Sequence, residues 1–131
     1  MRKLASLLAA ALVCAACSNL GSKVVGTWMY QMDTSMLKVE DAQSLEPLRL
    51  ELTKSRLELR ADGTATVVGP KTKAIGHWSM EGSHLYVKPD GEGRSLEGEV
   101  VNDGTRINVD SAGTVADGTG AQLYLSKLPS P

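Results

Sequence analysis

The sequence has no phenylalanine, and aromatic residues of all kinds make up only 4% of it. Its two cysteines, Cys14 and Cys17, both stand near the N-terminus. A domain that begins after them has no disulfide and must draw its stability from packing, even in a compartment that would allow such a bond. It also has no thiol for cysteine catalysis. Long hydrophobic runs are missing too. The longest, Leu4 to Val13, is ten residues interrupted by Ser6, too short to cross a hydrocarbon core about 30 Å thick as a helix. Positive charge is not in excess, with 14 Lys and Arg against 15 Asp and Glu. Nucleic-acid binding needs a basic footprint with aromatic stacking surfaces, so that class is set aside. No Walker motif and no Gly-x-Ser-x-Gly elbow occurs. At 131 residues the chain has room for one domain.

What is present starts with MRKLASLLAAALVCAACSNL. A positive start at Arg2 and Lys3, a short apolar middle and a small-residue end together describe an export signal. The end of this segment resembles a bacterial lipobox. Ala15, Ala16 and Cys17 fill its last three places, while Cys14 stands where leucine is usual. The resemblance implies a signal peptide over 1–16, cleavage before Cys17, diacylglycerol on the Cys17 sulfur and a lipidated tether over 17–23. Two or three acyl chains hold where one does not, each buried CH₂ contributing about 0.8 kcal/mol. The alternative is ordinary cleavage near Ala16, which leaves a soluble secreted protein. Ser18, and not aspartate, follows the cysteine. By analogy with lipoprotein sorting, this implies the outer membrane, facing the periplasm. Loss of Arg2 and Lys3 leaves 12 basic and 15 acidic side chains, a net of −3.

Beyond the tether, Asp-Gly punctuates the chain at Asp62-Gly63, Asp90-Gly91, Asp103-Gly104 and Asp117-Gly118. Between apolar alternations this dipeptide signals tight turns. Strands are expected over 24–30, 55–60, 64–69, 74–80, 83–88, 94–101, 105–110 and 120–127. In SRLELR, Leu57 and Leu59 face one side and the charges the other. Ile107 and Val109 in GTRINVD, and Leu123 and Leu125 in AQLYLSK, repeat the pattern. Period two with one polar face predicts antiparallel strands around one core. Residues 41–54 fit a helix, with Leu45, Leu48 and Leu52 on one stripe, and also fit a strand through Leu48, Leu50 and Leu52. Their length favours the helix. The tetrapeptide RLEL occurs twice, seven residues apart, and reads as a solvated face over a leucine-lined one.

Both tryptophans, Trp28 and Trp78, follow a glycine by two positions, in VVGTWMYQ and AIGHWSME. With a turn at Glu81-Gly82, the hairpin over 73–88 puts Gly76, Trp78, Met80, Leu85 and Val87 on one face. His77, Ser79, His84 and Tyr86 lie on the other. Each Gly-x-Trp reads as an inward core position, the bare glycine making room for the ring or for a sharp bend. An export signal, a Gly-Thr-Trp first strand, an apparent helix, LELRADGTATV and a second Gly-x-Trp strand together resemble the bacterial lipocalin-like lipoproteins. The resemblance covers roughly 24–128. It implies a mainly β fold, a small antiparallel up-and-down β-barrel of about eight short strands with one short helix after the first strand.

Chemistry is harder to find. His77 and His84 are the only histidines and share a face, but a metal site needs three or four ligands, so no metal or cofactor is expected. The DGEG and DGTG stretches lack the alternating oxygen ligands of a calcium loop and read as turns. The expected protein is therefore not an enzyme. It is a lipid-anchored cell-envelope lipoprotein whose barrel holds a small apolar ligand, with Trp28, Leu57, Leu59, Trp78 and Leu85 as candidate lining residues. A second reading is a solid barrel that serves as a protein-interaction or inhibitor module of the periplasm. A hydrolase is the third and weakest. Replacing Cys17 by serine is expected to move the protein from the membrane to the soluble periplasmic fraction. Unchanged membrane association in a fractionation blot would defeat the lipoprotein reading.

Overall fold

A computed structural model of the chain describes residues 20–110 and 118–129. The signal segment, Cys14, Cys17 and Asp117 lie outside the described residues. Eight strands follow one another: β1 (Gly26–Asp33), β2 (Arg56–Leu59), β3 (Thr64–Val68), β4 (Lys73–Glu81), β5 (His84–Pro89), β6 (Leu96–Val101), β7 (Arg106–Val109) and β8 (Gln122–Lys127). Each pairs antiparallel with the next, and β8 returns to pair with β1, closing the barrel. The strands are antiparallel around one core, as the alternation predicts, and they close into the up-and-down barrel that the resemblance implies. Its cause is visible in the burial: Leu57, Leu59, Ile107, Val109, Leu123 and Leu125 all point into the core. Their charged and polar neighbours in sequence face outward, as a period of two requires.

The turns also follow from sequence. Gly63 has φ +89°, and the Asp62 carboxylate accepts bonds from the Thr64 amide at 3.0 Å and hydroxyl at 2.6 Å. Asp-Gly-Thr thus closes β2 onto β3 by its own side chains. Those bonds hold the Asp62 carboxyl below its ordinary pKa.

Residues 41–54 are helical, but in two pieces instead of one: α1 (Val39–Ser44) and α2 (Glu46–Leu52). Pro47 lies in the first turn of α2. It has no N–H to offer the Gln43 carbonyl, and its ring crowds that carbonyl, so the helix restarts there. Leu45, Leu48 and Leu52 pack against the barrel core as one stripe. The repeated RLEL is helical at 49–52 and a strand at 56–59. A strand sends both leucines to one side, and Leu57 and Leu59 are both buried. A helix turns residues two apart to nearly opposite sides. Leu52 is accordingly partly buried, while Leu50 is 52% exposed.

The β4–β5 hairpin departs from the expected register. Trp78 pairs with Val87 and Met80 with Leu85, a slip of two positions from a turn at Glu81-Gly82. The loop is Gly82-Ser83, with Gly82 at φ +61° in its first position, where a Gly-x hairpin turn places it. A shift of two leaves every side chain on its expected face, so the apolar face survives the correction.

The two Gly-x-Trp motifs prove unlike. Trp28 is fully buried and donates its indole N–H to the Val24 carbonyl at 2.8 Å. Trp78 is only partly buried, and its N–H goes to the Arg60 carbonyl at 2.7 Å. Neither glycine serves its ring. A Cβ on Gly76 would lie 2.2 Å from the Lys88 carbonyl oxygen, so this glycine lets β5 approach closely. Gly26 has φ +143°, a backbone conformation that side chains resist. The glycine that faces the Trp78 ring is Gly21, in a helical turn over 20–24. Trp28→Ala is expected to cost about 3–5 kcal/mol, as large-to-small core changes do, and Trp78→Ala clearly less. Urea denaturation of the two variants checks this order, and a Trp28 variant as stable as its parent would remove the ring from the core.

Candidate functional site

The antiparallel alternation gives the barrel two unlike ends. At one lie the start of β1, the end of β8 and the turns β2–β3, β4–β5 and β6–β7. The turn over 20–24 closes this end wall: Val24 is buried, and Leu20 packs against the core. At the other end lie α1, α2 and the connections over 69–72 and 90–95. α2 packs against β1 and α1 against α2, so they cover only part of this mouth.

Beside them an apolar cavity of about 180 Å³ opens between β3, β4, β5 and the start of β6. Its wall comes from inward positions with little bulk: Ala65 and Val67 on β3, Ala74 and Gly76 on β4, Val87 and Pro89 on β5. Glu92 and Arg94 stand at the rim. The cavity exists because consecutive inward positions of two paired strands carry almost no side chain. Ala65 faces Gly76, and Val67 faces Ala74. Apolar cavities near 150 Å³ stay dry and take up benzene, whereas drug-sized ligands occupy roughly 300–1,000 Å³. This space suits one ring or a short aliphatic branch.

Trp28, Leu57, Leu59 and Leu85 do not line the cavity but fill the barrel, each at most 1% exposed. Trp78, partly buried near the end wall, does not line it either. The lining residues escaped sequence reading because small side chains draw no attention. The available signal was the pairing of two strands whose inward positions read Ala-x-Val and Ala-x-Gly.

The polar outer face holds few concentrated groups. The slipped register separates the histidines: His84 pairs with Glu81, and His77 lies four positions further along β4, about 13 Å away at the usual strand rise. His77 Nδ1 meets Asp90 at 2.7 Å. His84 lies between two carboxylates, Glu99 at 2.8 Å and Glu97 at 3.2 Å, with the Tyr86 ring 4.6 Å away. The Ser83 hydroxyl donates to Glu99 at 2.7 Å and not to the imidazole, so serine, histidine and carboxylate are not in the order a nucleophile needs. Among the described residues no three His, Cys, Asp or Glu side chains are grouped to hold a metal ion. Inside, burial pushes the Tyr30 phenol up to about 12, leaving it neutral at any physiological pH.

No protein-family model and no curated protein matches the chain. Among solved structures, a DUF4847 family protein from Bacteroides vulgatus matches with a TM-score of 0.48 and 10% identity, over 82% of this chain and 96% of that one.

The carboxylates beside His84, Glu99 first, raise its pKa above the ordinary 6.5. A folded value above the unfolded one stabilises the protein fully below about pH 6.5, and this is lost as pH rises through the raised value. Glu99→Gln is therefore expected to lower the His84 midpoint in an NMR titration and to weaken the fold more at pH 6 than at pH 8. An unmoved midpoint would detach His84 from Glu99.

Proposed function

We propose that this chain is a lipid-anchored, non-enzymatic lipoprotein of the cell envelope, held at Cys17 in the outer membrane and facing the periplasm. Its lipocalin-like barrel binds one small apolar group in the mouth opposite its N-terminal end. The observation that carries the binding reading is the 180 Å³ apolar cavity at the mouth of a barrel whose centre is filled by Trp28, Leu57, Leu59 and Leu85. The filled centre separates this protein from barrels that enclose a long-chain ligand. Burial of a compact ring or branch in preformed apolar space supplies the affinity, and the rim charges Glu92 and Arg94 discriminate between polar substituents. Support for a non-catalytic role comes from Ser83, His84 and Glu99, whose order of bonding activates no nucleophile.

The filled centre also favours a second reading, a periplasmic interaction or inhibitor module, in which the group in the cavity is a side chain of a partner protein. Benzene, as the simplest probe, is expected to raise the melting temperature saturably. Val67→Phe, which fills the cavity from β3, is expected to abolish that rise while the barrel still melts cooperatively. A parent protein that does not respond to benzene or to short-chain fatty acids would end the small-ligand reading and leave the interaction module.

A further inference from the structure

The helical turn over 20–24 is part of the end wall. Val24 is buried and accepts the Trp28 indole N–H at 2.8 Å. Gly21 is buried against the Trp78 ring, where a Cβ would sit 3.7 Å from it. The Lys23 ammonium reaches Asp103 in the β6–β7 turn at 2.5 Å, and the Lys127 ammonium donates to the Lys23 carbonyl. Gly104 has its open face against the Lys23 side chain. Core, opposite turn and last strand all hold this segment, so the chain leaves the barrel from a fixed point.

That point lies at the end opposite the cavity. Only Ser18 and Asn19 separate Leu20 from Cys17, and three residue steps span at most ~11 Å. The inference below rests on the reading of Cys17 as the lipidated residue. A tether this short, joined to a turn packed into the wall, leaves the barrel little freedom to roll over.

We propose that residues 20–24 are an orienting plug, standing the barrel with its end wall toward the bilayer and its cavity toward the periplasm. The apolar group is then taken from the aqueous side, as a small soluble molecule, and not from the acyl chains of the protein's own leaflet. At the end wall Lys23 pairs with Asp103, and the exposed Asp62 and Glu81 share that end with Arg60 and Lys127, so it is the short tether and not a patch of one charge that sets which end faces the bilayer.

The test uses the full lipidated protein in phosphatidylethanolamine–phosphatidylglycerol vesicles that carry a quenching nitroxide on a headgroup. One thiol-reactive fluorophore is placed on Ala61→Cys, in the exposed β2–β3 turn, or on Lys71→Cys, in the exposed connection at the cavity end. Quenching at position 61 is expected to exceed that at 71 by about twofold or more, since the tether reaches no further than ~11 Å. A flexible insertion after Ser18 is expected to bring the two toward equality. Protein that fails to float with the vesicles would overturn the anchor and this orientation together. Protein that floats but quenches equally at both positions would overturn the orientation and leave the anchor standing. An insertion without effect would show that the plug does not set the orientation, and would overturn it too.

Discussion

The bond from the Trp28 indole to the Val24 carbonyl is the constraint around which the rest is arranged. Trp28 pairs with Leu57 on β2 and with Lys127 on β8, so it sits on the strand that joins the first and last parts of the sheet. A ring of that size at the join must be fully dehydrated, and its N–H must then find a partner within the protein. The preceding turn supplies that partner. One hydrogen bond therefore ties the closure of the sheet, the filling of its centre and the position of the N-terminal segment to each other.

From this arrangement the two ends of the barrel acquire different structures. The end wall is dense and held by ion pairing, buried leucine and valine, and the half-covered Trp78. The far end is roofed on one side only, by two short helices that bury a leucine stripe but leave Val39 and Leu50 to solvent. Under the unroofed side, alanine and glycine replace the bulky residues found elsewhere in the interior. The N-terminal segment and the cavity thus lie at opposite ends of the same small core.

Much of the architecture was legible because alternation has a physical cause that sequence displays directly. Leu57, Leu59, Ile107, Val109, Leu123 and Leu125 could be assigned to the interior from spacing alone. Finer features depended on competition between local options. Glu81-Gly82 and Gly82-Ser83 are both acceptable hairpin loops, and only packing across the barrel decides between them. The two RLEL copies show the same limit: identical residues become helix or strand according to whether Pro47 or a paired strand lies beside them. The cavity was least legible, since it is made by what Ala65, Ala74 and Gly76 lack. Trp78 and Trp28 share a motif but not a depth of burial, and the glycine against the Trp78 ring, Gly21, is more than fifty residues away in sequence.

Closure of the sheet has one more effect, on the protein's behaviour in company. Every strand has a neighbour on both sides, so no row of unpaired amides and carbonyls is offered along the sheet. Such rows are where β-proteins recruit one another into stacked polymers. A sheet closed in this way is protected from its own copies by topology.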